Sequence, residues 1–412
     1  MRLVTRLCIV LVASVFVTGT SPLNAQAIAG VGLGPEAPHL LKDQPVEAYR
    51  LELLDLAWQA ATSYPINPHI KNRGRAEEQV ANGALQINQP HLAWGYAKKV
   101  VNWRKGACYA EIAHYLIEQG EPEHVEYFLR QAVLHSKDPK QGWRHARVKA
   151  RVAAARLLIG NDEGAEGLVE DQDFAGQGQQ ISAKAYGATD DEFQELIVSL
   201  DKMVKLEGYD EIWAAMLAYS ELYRHHYENA ERRALLVEKT RVAWKDMPGI
   251  RRFEVVLKFA DAALQHEDIE SAKKLIAEAD EIRQSFRWTI DYDLRLRSEV
   301  AGYRTTVGQD DAARELLEGS VKLADEKLDS LQNFYRADAL RPVAEAYAKL
   351  GDKERALELY ARLVELGALN PNIRPRVSDI TATCVSMSLH DIKPDADLLS
   401  RIRGIVDGLA EK

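Results

Sequence analysis

The sequence predicts an all-α protein, an α-α superhelix of about eight helix pairs. From Val46 onward, apolar residues recur with the helical period, as at Leu51, Leu54 and Trp58. No segment shows the sustained alternation of a strand, and helix breakers such as Gly351 return at regular intervals. These observations indicate repeated helical hairpins, whose apolar faces must be buried by neighbouring pairs.

The first 27 residues have the features of an export signal. Arg2 and Arg6 give a positive start, the run from Leu7 to Val17 is apolar except for Ser14, and Ala25-Gln26-Ala27 resembles a cleavage site. Because a membrane span needs about 20 apolar residues, we expect a cleaved bacterial-type signal and a periplasmic or secreted protein. An uncleaved anchor is the alternative, and no membrane insertion of the mature chain is expected.

Four segments are expected to follow the signal. Gly and Pro residues indicate a flexible tether, and a stretch rich in Gly and Gln indicates a loop between two blocks of helical repeats. In chain order the segments are the tether 28–43, the N-terminal repeats 44–170, the loop 171–191 and the C-terminal repeats 192–412. The loop is expected to be a tolerated insertion or a functional segment.

The clearest repeat unit combines a small residue, an aromatic residue, a glycine turn, a second small residue and a second aromatic residue. In chain order these are Ala344, Tyr347, Gly351, Ala356 and Tyr360. This pattern resembles the tetratricopeptide repeat, a helix–turn–helix unit, and the resemblance implies an α-solenoid. The two small residues allow the paired helices to approach closely.

The same positions recur through most of the chain at spacings of about 40 residues. The small residue of the first helix is expected at Ala81, Ala113, Ala153, Ala260, Ala301, Ala344 and Cys384, with Trp213 as an exception. The small residue of the second helix is expected at Ala93, Ala165, Ala230, Ala272, Ala313, Ala356 and Ala396, with Val125 in one unit. A gap of 65 residues separates the Ala165 and Ala230 units.

Composition and motifs favour a protein without catalysis. The formal net charge of −9 argues against nucleic-acid binding, which needs a basic surface. His225 and His226 are adjacent and therefore diverge by about 100° on a helix, so no metal site is expected. Cys108 and Cys384 are expected to pack as small apolar residues. No phosphate-binding or Gly-x-Ser-x-Gly motif is present, and we expect no catalytic residue and no cofactor.

The resemblance implies that the first helix of each pair lines a groove for a partner peptide. Carrying over the groove positions and their neighbours within one turn gives basic, acidic and uncharged residues. The basic residues chosen from them as the candidate partner-binding set are His114, Arg144, Arg147, Arg252, Arg295 and Arg341. Arginines along one face would bind the carboxylates of a protein or peptide partner. Because Glu254, Asp261 and Glu345 share this face, a mixed and solvated surface is the alternative.

The sequence therefore predicts a non-catalytic, exported helical-repeat scaffold that binds a protein or peptide partner through its concave face. One alternative is an α/α-toroid carbohydrate hydrolase or lyase, and another is a structural module of a cell-envelope assembly. An open arc with a lined groove would favour the scaffold. A closed ring with clustered acids and Trp residues at its mouth would favour the enzyme, although the seven Trp residues fit core positions.

Overall fold

The computed structural model describes residues 41–121, 124–137, 142–169, 173–185 and 188–410, without the side chains of Trp143, Phe174 and Ala410. The predicted export signal and nearly all of the tether lie outside these residues. Nineteen α-helices and no strand occur in the described part, which confirms the all-α class. This number exceeds the sixteen helices of eight pairs.

The helices follow one another with short connections. Their bounds are α1 Ala48–Thr62, α2 Ile66–Gln86, α3 Pro90–Ala97, α4 Arg104–Glu118, α5 Val125–Ser136, α6 Gly142–Leu158, α7 Asp162–Ala165, α8 Phe174–Lys184, α9 Asp190–Val204, α10 Tyr209–His225, α11 Ala230–Ala243, α12 Gly249–Gln265, α13 Ile269–Ser285, α14 Ile290–Thr306, α15 Asp310–Lys327, α16 Asn333–Lys349, α17 Lys353–Ala368, α18 Ile373–Leu389 and α19 Ala396–Ala410.

The even-numbered helices form an inner layer and the odd-numbered helices cover it. Each even helix packs on the odd helix that follows it, but α9 packs mainly on α10 and α19 packs mainly on α1. Successive even helices also pack on one another from α2 to α12 and from α14 to α18. Side-chain hydrogen bonds between α12 and α14 complete the series. The described helices thus form nine pairs preceded by α1.

The array closes on itself, because α18 packs against both α1 and α2. Arg50 on α1 donates from Nε to the carbonyl of Ser388 at 2.8 Å, and the Ser388 hydroxyl returns a bond to the carbonyl of Arg50 at 3.0 Å. Tyr49 also donates to Asp391. The sequence predicted a superhelix, and nothing in the sequence pattern indicated that its two ends would meet.

Helix α8 lies in the segment for which the sequence predicted a loop, so the 171–191 prediction requires correction. The glycines of this segment serve close helix packing. A Cβ on Gly176 would lie 2.8 Å from the Cβ of Ala150 on α6, and a Cβ on Gly178 would lie 3.1 Å from the carbonyl oxygen of Ala214 on α10. Helix α8 therefore fills the gap between α6 and α10, and α9 packs mainly on α10.

The small residues expected on first helices are all buried, which explains why the helices can approach closely. Ala81, Ala113, Ala153, Ala260, Ala301, Ala344 and Cys384 are each at most 2% exposed. In α10 the corresponding residue is Ala218, which is 1% exposed, and Trp213 was the wrong position for this unit. Ala218 precedes Ala230 by the same interval as in the other units. On the second helices, Ala230 and Ala396 are exposed first residues.

The buried apolar residues form two clusters that do not follow the predicted N-terminal and C-terminal blocks. One cluster joins residues of 41–155 to residues of 294–409. The other extends from Ala185 to Val307. Ring closure explains this division, because it brings the two ends of the chain into one core while the middle helices form another.

An Asn or Asp side chain begins four of the second helices and α8, and it accepts a backbone N–H three residues later. Asp352 caps α17 in this way and also pairs with Arg314 at 2.9 Å. We expect Asp352→Ala to lower the free energy of unfolding by about 1 kcal/mol, because one helix donor loses its acceptor. Urea unfolding measures this loss. Asp352→Asn should lose much less stability than Asp352→Ala, because the Asn side chain can still accept the backbone N–H.

Candidate functional site

The inner layer carries the positions at which the sequence predicted a partner groove. Arg295 on α14 donates to Glu254 on α12 at 3.0 Å and to Glu299 at 2.7 Å. Arg251 approaches Glu254 from the other side at 2.7 Å. The charge of Arg295 is therefore already balanced within the protein, so this part of the face is mixed in charge.

Arg341 on α16 is largely buried, with a side chain 16% exposed, and it is paired with Asp338. Its Nε is buried without a hydrogen-bond partner. Asp379 on α18 is close enough to influence Arg341 electrostatically. Arg341 thus lies between the exposed Asp338 on α16 and the buried Asp379 on α18, and its guanidinium has little surface to offer a partner.

The guanidinium of Arg252 binds backbone carbonyls of its own chain and does not face the predicted groove. It donates from Nε to the carbonyl of Met247 at 3.0 Å and from Nη2 to the carbonyl of Lys245 at 2.7 Å. These bonds hold the turn that precedes α12. Arg251 is the residue of this adjacent pair that reaches the inner face.

The remaining predicted groove residues lie on α4 and α6. His114 Nε2 lies 3.3 Å from the carbonyl of Arg151, and burial lowers the pKa of His114, so it is neutral near pH 7. The guanidinium of Arg144 lies 5.7 Å from the ring of Trp103. Arg147 is exposed. Of the predicted set, Arg147 therefore offers the most accessible cation.

Polar contacts about 41 residues apart connect successive inner helices. Glu111 on α4 pairs with Arg151 on α6. Tyr303 on α14 donates to Asp261 on α12 at 2.7 Å, and Ser386 on α18 donates to Glu345 on α16 at 2.6 Å. Most of these partners could not be inferred from the sequence, because the repeat pattern marks small and aromatic core positions. The sequence signal that could have found them is the separation of about 41 residues between paired polar side chains.

Several ionisable side chains near the carboxyl ends of the inner helices are affected by burial. Burial raises the pKa of Asp261, and the bond from Tyr303 opposes this rise. Burial lowers the pKa of Lys349, whose Nζ lies 5.4 Å from the ring of Tyr303. Desolvation raises the pKa of Glu118 on α4, and Arg224 on α10 is close enough to oppose that rise. The pKa values of these groups thus depend on side chains of other inner helices.

The described residues offer little for metal or nucleophile chemistry. No group of three potential metal ligands occurs among them. Cys108 and Cys384 are buried free thiols. Burial raises the pKa of Cys384 to about 12 and that of Cys108 well above its ordinary value. Such thiols stay protonated near neutral pH and are poor nucleophiles.

Neither a scan against models of known protein families nor a search of curated proteins finds a match to this chain. Within the described part of the chain, no helix has the length and apolar character needed to cross a membrane.

Proposed function

We propose that the protein is a non-catalytic, exported helical-repeat scaffold that binds a protein or peptide partner on the inner layer of its helices. Its units would be tetratricopeptide-like and arranged as an α-solenoid whose ends meet. The observation that carries this proposal is the row of charged side chains on successive inner helices, such as Glu254 with Arg295 and Glu111 with Arg151. Contacts between helices restrict these side chains before any partner binds, which reduces the entropy lost on binding.

The partner should carry both charges and hydrogen-bonding groups. Arg295 and Arg341 already face Glu254 and Asp338, so a purely acidic peptide would meet carboxylates as well as guanidiniums. Arg147 is the cation of the predicted set with the most open surroundings, and it is the residue expected to contact a partner carboxylate.

The alternative is an α/α-toroid carbohydrate hydrolase or lyase. Two observations favour it: α18 packs against α1, and the pKa of Asp261 is raised. Against it, Asp261 and Glu345 each accept a hydrogen bond from a neighbouring inner helix. Such bonds are expected of carboxylates that join helices. A cell-envelope structural module is a further alternative without a specific supporting contact.

The proposal is tested by affinity capture from the native envelope fraction with Arg147→Glu beside the natural sequence. We expect one discrete protein to be retained and its retention to fall at least about tenfold in Arg147→Glu, since the substitution replaces attraction by repulsion. Lys274→Glu is the matched control, because Lys274 is exposed on the outer helix α13. Equal retention by both variants would contradict the proposal. Release of reducing sugars from envelope polysaccharides would favour the enzyme instead.

A further inference from the structure

The amino-terminal ends of α10, α12 and α14 carry a network of aromatic, arginine and glutamate side chains. Arg251 on α12 donates from Nε to the hydroxyl of Tyr209 at 2.7 Å, and its guanidinium lies 4.4 Å from the ring centroid of Trp213. Its Nη1 bonds Glu254, which also accepts from Arg295. One charged network therefore connects three inner helices.

A row of aromatic side chains continues from this network. The guanidinium of Arg295 lies 6.0 Å from the ring centroid of Tyr292, and the ring centroids of Tyr292 and Trp288 are 6.3 Å apart with their planes inclined by 29°. Phe286 lies 5.6 Å from Trp288 and packs against Gly249, where an added Cβ would be 2.6 Å from its ring. We call Tyr209, Trp213, Phe286, Trp288 and Tyr292 the rim aromatic cluster.

The rim aromatic cluster presents exposed aromatic surface. Tyr209 is 47% exposed, and Tyr292 and Phe286 are each 41% exposed. Trp213 and Trp288 are half-buried. The indole N–H of Trp288 donates a hydrogen bond to the carbonyl of Arg283 at 2.6 Å, and this bond fixes the orientation of the ring. Rigid rings that remain accessible are typical of ligand-binding surfaces.

The four charges that bond one another beside the rings cancel, since Arg251 and Arg295 are balanced by Glu254 and Glu299. Residues adjacent to the rings in sequence add charges of both signs, among them Asp210, Arg287 and Asp291. Among the described contacts, Arg251 uses Nε and Nη1, and its Nη2 remains for a ligand. The site therefore combines aromatic faces with hydrogen-bonding groups whose bonded network carries no net formal charge.

We propose that the rim aromatic cluster, together with Arg251, Glu254 and Arg295, binds a neutral oligosaccharide. The C–H faces of sugar rings stack on aromatic rings, and sugar hydroxyls form hydrogen bonds with guanidinium and carboxylate groups. A neutral chain of sugars satisfies both features without adding charge. This binding is independent of the partner contact proposed at Arg147 on α6.

The test is calorimetric titration of the protein with cellohexaose, laminarihexaose and chitohexaose, with polygalacturonate as a charged probe. We expect at least one neutral hexasaccharide to bind, and Tyr292→Ala to weaken that binding about tenfold, the effect expected from losing one stacked ring. Tyr335→Ala is the control, because Tyr335 is 49% exposed at the start of α16, outside the cluster.

Three results would overturn the proposal. They are no binding of any neutral hexasaccharide, binding of polygalacturonate alone, or equal effects of Tyr292→Ala and Tyr335→Ala. Capture of the partner protein by Tyr292→Ala is measured in parallel. Normal capture together with no sugar binding would overturn the oligosaccharide proposal and leave the scaffold proposal standing.

Discussion

Gly83→Leu is expected to lower the free energy of unfolding by about 3 kcal/mol and to loosen the contact between the two ends of the array. Gly83 lies on α2, where α1 and α18 converge. An added Cβ would be 2.8 Å from a methyl carbon of Val385 on α18 and 3.5 Å from Leu54 on α1. A leucine must therefore displace one of these helices, and overpacking of this kind typically costs about 1–3 kcal/mol.

Gly95→Leu is the matched control for this experiment. Gly95 is also helical, on α3, and an added Cβ there would meet no atom within 4 Å. Both substitutions gain the same helix propensity. The difference between their free energies of unfolding therefore measures the crowding where α2 packs on α18. Unfolding in urea gives both free energies. Equal stability of the two variants would show that α2 and α18 do not pack as described.

Asp379→Asn is expected to remove a contribution to stability that the natural protein loses between about pH 4 and pH 7. Asp379 is 1% exposed and accepts a hydrogen bond from Asn370 at 3.0 Å. Burial and the nearby Asp338 raise its pKa to about 7. The folded protein therefore holds a proton that the unfolded chain releases near pH 4, and this contribution to stability is lost as the pH rises.

Each pKa unit of difference corresponds to about 1.4 kcal/mol, so the full effect at Asp379 is about 4 kcal/mol. The free energy of unfolding of the natural protein minus that of Asp379→Asn, measured in urea at steps from pH 4 to pH 8, should fall by about that amount as the pH rises. Asp311→Asn, at an exposed site on α15, is the control and should follow the natural profile. Parallel profiles for Asp379→Asn and the natural protein would contradict the assignment.

The helical class and the small residues of the first helices could be predicted because packing acts through local pattern. Ala260 and Ala344, for example, are spaced from their turns as the repeat requires, and both are fully buried. Helix α8 could not be predicted in this way. Gly176 and Gly178 are typical of loops in sequence, yet here they allow α6 and α10 to approach, which depends on tertiary contacts.

The candidate site was predicted less completely. The repeat register placed Arg295 and Arg341 on the first helices, but their pairing with Glu254 and Asp338 depends on side-chain contacts that the register does not encode. The rim aromatic cluster was missed because Trp213 and Trp288 also fit core positions. Closure was missed because contacts such as that of Arg50 with Ser388 span nearly the whole chain.

The central claim is that the helices form a closed array, and a distance between its two ends tests it most directly. Spin labels at Asp55→Cys on α1 and Asp407→Cys on α19 would lie about one turn beyond the ion pair of Arg403 with Glu52. Cys8→Ser limits stray labelling, while Cys108 and Cys384 are buried. Packed helices have axes about 8–10 Å apart, so pulsed electron resonance should give one narrow distance below about 30 Å. A broad distribution at longer distances would show that the array is open.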